Sequence, residues 1–257
     1  MLGAHAKTPL EALYLETNCV PIRFILKSRR ILYLHNILQR NQSEMVRKIY
    51  ELQKINPCPG DFYEIVRDDM LSLDLDLSED DISKMKKQAF KAIVKVKVKA
   101  GAFKYLQTMK HTHSKMEALN YEPELQSYLV SPMFNHESRN LLFRLRTRTV
   151  SGIKSDFKGL YTDISCPLSC GDTDTLSHIL TCTALTSQHK SSNISQNKAK
   201  YEDIYSSDVQ KQKQVTELFN QMLQIRNQIL SQPVVLTGPL HNSNTVQSAS
   251  SDVTYGN

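Results

Sequence analysis

The chain has 257 residues, contains no tryptophan and carries a formal net charge of +6, and its length suits one or two domains with a hydrophobic core. No apolar run reaches the roughly 18–20 residues of a membrane span, and the first residues lack the regions of a signal peptide. We therefore expect an intracellular protein without a membrane segment, in the nucleus or the cytoplasm. In that setting clustered cysteines more often bind a metal than form disulfides, and the positive charge favours an anionic partner.

Helix signals dominate the first part of the chain. Thr8–Glu11 has the spacing of a capping box with proline at the first helical position, and predicts a short helix that ends near Thr17. A third helix is predicted from Ser43 to Ile55. Between them, Pro21 begins a predicted second helix whose broad apolar face consists of Ile22, Ile25, Leu26, Leu32, Ile37 and Leu38.

Two further helix starts are predicted after a turn. The segment from Asn56 to Asp61 contains two prolines and a glycine, and its final aspartate can cap the helix that follows. Ser78, followed by three acidic residues, predicts another N-cap. A long helix is expected to follow it to Thr108 or beyond, weakened at Gly101.

The long predicted helix carries an unusual run of lysines. From Ile82 to Met116 the sequence contains ten lysines and no acid. At 100° per residue, five of these lysines lie within one third of the helix circumference: Lys84, Lys87, Lys91, Lys95 and Lys99. Apolar residues occupy another face: Met85, Ala89, Ile93, Val96, Ala100 and Phe103. The alternation of valine and lysine in residues 94–98 leaves a strand as the alternative.

Two interpretations of the lysine set remain open. Unpaired lysines four residues apart repel one another, so a phosphate backbone would relieve them. The alternative is a solvated face neutralised elsewhere in the fold by acids such as Glu79. The basic segment 139–148 adds a second patch. The residues predicted to contact nucleic acid are Lys84, Lys87, Lys91, Lys95, Lys99, Arg144, Arg146 and Arg148.

The second half of the chain begins with a predicted helix over residues 136–150 and a loop over residues 151–165. Residues 186–207 are polar and resemble a linker. Asp208 is predicted to cap a last helix, and the tail after Gln232 is rich in serine, asparagine and threonine, which predicts disorder. The last helix has an amphipathic stripe of Val215, Leu218, Phe219, Met222, Ile229 and Leu230.

Three cysteines and a histidine lie within the seventeen residues "CPLSCGDTDTLSHILTC". Asp174 or Thr175 can cap a short helix that presents the histidine and the last cysteine on one face. Three thiolates and one imidazole close a tetrahedral structural Zn²⁺ site and leave no position for a catalytic water. His189 is a possible substitute ligand, and chance clustering of buried cysteines is the alternative. The predicted ligands are Cys166, Cys170, His178 and Cys182.

The sequence contains no recognisable catalytic constellation. Asp68 and Asp69 resemble a metal-binding carboxylate pair, but their helical flanks predict solvated carboxylates. His111 and His113 are predicted to be exposed polar residues. Cys19 and Cys58 lie far from the cluster in sequence and are predicted to be core or loop residues.

Five phrases occur in order along the chain: "KTPLEALYLETNCVPIRFILKSRRILYLHNILQRN", "PGDFYEIVRDD", "LLFRLRTRT", "FKGLYTDISCPLSCGDTDTLSHILTC" and "VTELFNQMLQIRNQIL". In this order they resemble the C-terminal part of non-LTR (LINE-like) retrotransposon reverse transcriptase polyproteins, from the post-thumb linker through the Cys/His knuckle. The resemblance covers residues 3–230. It implies a nucleic-acid-binding segment whose knuckle ligands are the four named above. Related knuckles often have H-x4-C, whereas this chain has H-x3-C. The fingers and palm are absent, so we expect a fragment without polymerase activity.

We therefore expect a mainly α fold. A helical linker-like domain covers residues 1–150, a small CCHC zinc knuckle 151–185, a polar linker 186–207, a C-terminal helix 208–231 and a disordered tail 232–257. The alternative function is a helical protein-interaction module with a purely structural zinc unit. In that case the apolar stripes of residues 21–39 and 215–230 would bind partner helices or a second copy.

Overall fold

The structure is a computed structural model that describes residues 4–116, 118–119, 124–157, 159–191 and 199–232. The prediction of a mainly α fold is confirmed, since the extended pairing in these residues is one isolated bridge between Ser165 and Thr173. The predicted disordered tail lies outside the described residues from residue 233 onward. The helices are α1 Leu10–Thr17, α2 Ile22–Leu38, α3 Met45–Ile55, α4 Phe62–Ser72, α5 Glu79–Lys84, α6 Lys87–Thr112, α7 Ser127–Val130, α8 His136–Arg146, α9 Leu176–Thr181, α10 Thr183–Ser191 and α11 Val209–Ser231.

The predicted N-caps at Asp61, Ser78 and Asp208 are confirmed. Asp61 accepts a hydrogen bond from the Glu64 amide at 2.8 Å, and Ser78 forms a capping box with Asp81. Asp208 caps α11. The capping box at Thr8 is wrong although α1 ends at Thr17 as predicted, because the Thr8 hydroxyl accepts from the His5 amide and donates to Thr149 instead.

Helix α2 is the centre of the N-terminal half, where α3, α4, α5 and α6 pack around it. Its predicted apolar face is only partly buried, since Ile22 and Leu26 are 58% and 45% exposed. The neighbouring helices select the side on which α2 is covered, and a broad apolar face does not specify that side. The buried residues of α2 are Phe24, Ile31, Leu34, His35, Ile37 and Leu38.

The long helix predicted after Ser78 is interrupted. Helix α5 ends at Lys84, and Met85 and Lys86 are extended before α6 begins. The His35 ring lies 3.0 Å from the Met85 carbonyl oxygen through Nε2. A side chain of α2 therefore satisfies a backbone group that the break leaves without a helical partner.

The break also changes which face of α6 is buried. The buried residues recur every fourth position as Phe90, Val94, Val98, Ala102 and Leu106, whereas Val96 of the predicted apolar face is 67% exposed. The lysines at positions 87, 91, 95 and 99 form the adjacent row, one residue and about 100° around the helix. Lys84 belongs to α5 and pairs with Asp80.

The C-terminal half forms a second core that runs through the predicted boundary at residue 150. Its buried residues extend from Tyr128 to Met222 and combine α8, α9, α10 and α11. The segment predicted as a polar linker contains part of α10 and a 3₁₀ turn at Tyr201–Tyr205, with Ile204 fully buried. Residues 192–198 lie outside the described residues. The Cys/His unit is therefore part of a larger helical core.

A smaller apolar cluster joins the two halves. It consists of Ala12, Leu15, Leu106, Met116 and Leu119, so that α1 packs against the end of α6, and Tyr205 of the C-terminal half packs against it. None of the described helices combines the length and the apolar character needed to cross a membrane.

Candidate metal centre

A short hairpin holds the first two cysteines. Its two arms are joined by the bridge between Ser165 and Thr173, and the Cys166 amide donates to the Asp172 carbonyl oxygen at 2.8 Å. At the tip, Ser169 and Gly171 have φ angles of 57° and 91°, in the left-handed region. Ser169 is the extra residue of the C-x3-C spacing, and its left-handed backbone accommodates it within the turn.

A helix start positions the other two side chains. The Thr175 hydroxyl accepts from the His178 amide at 3.0 Å, so Thr175 rather than Asp174 is the cap of α9. Cys182 follows the helix, and its amide donates to the His178 carbonyl oxygen at 2.7 Å. The predicted helical pair is thus a histidine in the first turn and a cysteine at the C-cap.

The four predicted ligands converge as a group that could hold a metal ion. Their ligand atoms all lie within 4.8 Å of one another. The Cys170 Sγ to His178 Nε2 distance is 3.2 Å, and the two buried sulfurs of Cys166 and Cys182 are 4.0 Å apart. A tetrahedral Zn²⁺ with bonds of about 2.3 Å to sulfur places two sulfurs about 3.8 Å apart. The separation of the Cys166 and Cys182 sulfurs is close to that value.

The His178 ring has an acidic neighbour beside the nitrogen that points away from Cys170. His178 Nε2 faces Cys170, and Nδ1 lies 3.6 Å from the Asp172 carboxylate. A carboxylate on the remote nitrogen fixes the ring orientation of many metal-binding histidines.

Burial raises the pKa of the Cys166 thiol to about 11, whereas the Asp172 amide lowers the pKa of Cys170. A bound divalent cation favours the thiolate at both positions.

A buried ion pair adjoins this unit and was not predicted. Asp174 is fully buried and Arg226 of α11 is 3% exposed. The two guanidinium nitrogens donate to the two carboxylate oxygens at 2.6 and 2.8 Å. The sequence indicates Asp174 only as a candidate helix cap, and an arginine on an amphipathic helix gives no sign of a partner 52 residues away.

The predicted nucleic-acid contact at Arg146 is wrong. Its side chain is fully buried, and its guanidinium donates to the Glu16 carboxylate, with a shortest distance of 2.9 Å. It also donates to the Gln126 side chain and to the Ile204 carbonyl oxygen. A planar group with five donors can satisfy several acceptors at once, which lets α8 bury this charge.

The predicted arginine patch on α8 does not form as one surface. Arg148 pairs with Asp156 at 2.9 Å, its side chain 34% exposed, and Arg144 is half-buried on α8. Arg148 lies beyond the helix in the left-handed region, with a φ of 52°. The chain turn after α8 therefore separates side chains that the sequence places close together.

The lysine row of α6, defined as Lys87, Lys91, Lys95 and Lys99, lies on the exposed face of that helix. No salt bridge among the described residues involves any of the four. Other lysines of the run have structural roles, since Lys97 donates to the Asp74 carbonyl oxygen at 2.7 Å and Lys110 is buried.

The remaining candidates for chemistry are dispersed. Asp69 is not solvated as predicted, because Arg30 of α2 donates to both its oxygens at 2.6 and 3.1 Å, while Asp68 is exposed. Cys19 and Cys58 are exposed. His111 is exposed and His113 is half-buried. The side chain of His189 lies outside the described residues.

The apolar stripes predicted to bind partner helices are largely used within the chain. The buried residues of α2 belong to the N-terminal core, and Val215, Phe219 and Met222 of α11 belong to the C-terminal one. A different apolar row is exposed, on the outer face of α3, and consists of Met45, Ile49, Leu52 and Ile55.

No protein-family model, curated protein or solved structure matches this chain. Within the described residues, the Cys/His cluster is the one group of at least three His, Cys, Asp or Glu side chains that could hold a metal ion. The site is therefore defined by its own geometry and donor set.

Proposed function

We propose that this chain is a nucleic-acid-binding helical protein with one structural zinc ion and no polymerase activity of its own, related to the C-terminal part of non-LTR retrotransposon reverse transcriptases. The observation that carries the nucleic-acid proposal is the lysine row of α6. The ordered set of sequence phrases that resembles those polyproteins supports the same proposal.

The lysine row suits a phosphate backbone for electrostatic reasons. Consecutive lysines rise about 6 Å along the helix and point to the same side. Helix α6 contains no acidic residue that could pair with them. Four neighbouring ammonium groups repel one another, and binding to phosphates releases counterions from the nucleic acid. A polyanion is therefore a better partner for this face than a neutral surface.

The cluster of Cys166, Cys170, His178 and Cys182 would hold Zn²⁺ as a closed, structural site. Three thiolates and an imidazole are a preferred zinc donor set, and four protein ligands leave no position for a reacting water. The ion would stabilise the fold by linking the hairpin to the short helix α9. Its function is then to hold this part of the fold together.

The zinc proposal predicts one metal ion per chain. Protein purified without chelator should contain about one equivalent of zinc by mass spectrometry. Cys182→Ala should contain none and melt at a lower temperature, because three ligands hold zinc weakly and its binding energy contributes to folding. Cys58→Ala is the matched control, since Cys58 is exposed and remote in sequence. Full zinc content in Cys182→Ala would contradict the proposed ligand set.

The nucleic-acid proposal predicts a defined salt dependence. Fluorescence anisotropy with a labelled 30-nucleotide single-stranded RNA, and with DNA of the same sequence, gives affinities between 50 and 300 mM NaCl. Changing all four lysines of the row to glutamine should reduce the slope of log affinity against log salt by about 3, because each phosphate contact contributes about 0.7.

A charge-matched variant separates the row from net charge. Replacing four exposed lysines outside α6 with glutamine, at Lys7, Lys48, Lys200 and Lys211, leaves the row intact. An equal loss of affinity and slope in both variants would refute a specific role for α6. Failure of the unmodified protein to bind either probe, together with oligomers that persist in 1 M NaCl, would favour the second candidate, a protein-interaction module that uses the exposed row of α3.

A further inference from the structure

The ion pair of Asp174 and Arg226 lies at the junction between the Cys/His unit and α11. Asp174 lies between Cys170 and His178 in sequence, and Arg226 is in the second half of α11. Both side chains are buried, and burying an ion pair is costly unless further hydrogen bonds satisfy the charges. The contacts around this pair show what it connects.

Asp174 ties together the segments that position the ligands. One carboxylate oxygen accepts from the Lys154 amide at 2.9 Å, and its own amide donates to the Ile164 carbonyl oxygen at 2.8 Å. Its carbonyl oxygen accepts from the Ser155 amide at 3.1 Å. On one side of Asp174 is the hairpin arm that bonds Cys166, and on the other is Thr175, the cap of the helix that carries His178.

Arg226 completes this connection from α11. Besides both oxygens of Asp174, its guanidinium binds the Gly152 carbonyl oxygen at 2.8 Å. Helix α11 also packs through Val215, Phe219 and Met222 into the core that contains Ile179 and Cys182. The helix is therefore attached to the ligand-bearing unit by apolar contacts and by the buried hydrogen bonds of the Arg226 side chain.

We propose that Asp174 and Arg226 are positioning residues of the metal site, so that metal binding and the docking of α11 stabilise each other. This inference rests on the proposed metal site. Metal binding orders the segment that carries Asp174, which presents the carboxylate to Arg226. Docked α11 in turn holds Asp174, and through it the two ligand-bearing arms, in the geometry that the metal requires.

The coupling is reciprocal by thermodynamic linkage. Whatever factor α11 docking adds to metal affinity, metal binding must add to α11 docking. Residues that orient ligands without touching the metal change metal affinity by roughly 10- to 100-fold when removed. The metal-binding unit of this chain thus extends to residue 226, well beyond the seventeen residues that carry the ligands.

Two measurements on the full chain test the coupling. Co²⁺ binding, followed by the visible absorption of tetrahedral thiolate-bound cobalt and by competition with a chelator, gives metal affinity. Hydrogen exchange of the α11 amides, with and without metal, gives the reverse effect. In the unmodified protein we expect metal to slow exchange in α11. Arg226→Met should lower metal affinity at least about tenfold and abolish this protection.

Arg30→Met is the matched control, because it removes an arginine that makes a bidentate contact with Asp69 in the N-terminal half. It should leave metal affinity within twofold of the unmodified protein. If Arg226→Met does not fold, Arg226→Lys keeps the charge but loses the bidentate geometry, and it should also weaken metal binding.

The outcomes distinguish this inference from the proposed metal site. No cobalt absorption in the unmodified protein would refute the metal site and, with it, the coupling. Normal cobalt binding with unchanged affinity in the Arg226 variants would refute the coupling alone. An equal loss of affinity in Arg30→Met would also refute it, since the loss would then reflect general destabilisation.

Discussion

Arg146 shows how a single side chain can reverse its expected role. In the sequence it belongs to a basic patch, whereas in the fold its guanidinium joins α8 to Glu16, 130 residues earlier, and to the turn that contains Ile204. Such a buried charge is tolerated because its guanidinium donates hydrogen bonds to Glu16, Gln126 and the Ile204 carbonyl oxygen. Removing one partner would leave the other charge buried and alone, which commonly costs about 3–5 kcal/mol.

The environment of Lys115 in the fold disfavours its charged form. Burial lowers the pKa of its ammonium group, and Arg148 and Lys7 lower it further, whereas Asp156 acts in the opposite direction. The Nζ atom lies 4.6 Å from the centre of the Phe157 ring. A lowered folded-state pKa means that the folded state binds fewer protons than the unfolded state as pH approaches the unfolded value of about 10.4.

Lys115→Met should therefore have a pH-dependent effect on stability. Near pH 7 both states of the wild type are charged, so removal of the ammonium group relieves a cost and favours the variant. As pH rises through the folded-state pKa towards about 10.4, the wild type recovers stability and the advantage of the variant shrinks. Urea unfolding between pH 7 and 10.5 measures this difference.

Lys104→Met, at an exposed position of α6, is the control for loss of one lysine. Its stability difference from the wild type should change less over the same pH range. A difference between Lys115→Met and the wild type that stays constant with pH would show that packing around Phe157, and not the charge, governs the effect.

At the scale of elements, the crossing of α6 over α2 and the end of α4 depends on Gly101. A Cβ atom at this position would lie 2.7 Å from Leu73 Cδ2 and 3.2 Å from Phe24 Cε1. Leu73 and Phe24 are buried, so neither can move freely. The sequence presents Gly101 as a weak point of a helix, and the fold shows that it permits close approach of the backbone.

Gly101→Ala should destabilise the protein although alanine is the better helix former. Overpacking of a tight core costs about 1–3 kcal/mol, which exceeds the gain of about 1 kcal/mol in helix propensity. We expect a net loss of about 1 kcal/mol in the free energy of unfolding, measured by urea denaturation.

A double-mutant cycle identifies the contact responsible. In a Leu73→Ala background, the space beside position 101 is open, so Gly101→Ala should be neutral or stabilising there. A stabilising effect of Gly101→Ala in the wild-type background would show that Leu73 and Phe24 can move aside at little cost.

At the scale of the whole molecule, the described chain is organised around two helical cores joined by a small apolar cluster. The N-terminal core surrounds α2 and carries the lysine row on its outer side. The C-terminal core includes Cys166 and Cys182 among its buried residues. The proposed phosphate-binding face and the proposed metal site therefore belong to different cores, so their functions can be tested by separate variants.

Local sequence signals predict where several helices begin, but they do not predict which face of each helix is buried. Asp61, Ser78 and Asp208 act within three residues of themselves, so their capping roles are legible in the sequence. The break at Met85 depends on contacts with α2, 50 residues away, and the periodic pattern continues through it. The sequence predicts the convergence of the four candidate metal ligands because all lie within seventeen residues.

The sequence by itself determined the mainly helical fold, the local Cys/His cluster and the lysine row, because each depends on residues close together in the chain. Only the tertiary structure decided that Arg146 is a buried link, that Gly101 is a packing contact and that α11 reaches the Cys/His unit through Arg226. The physical reason is the same in each case. Burial and long-range ion pairing depend on which surfaces meet, and residue type and periodicity do not specify those partners.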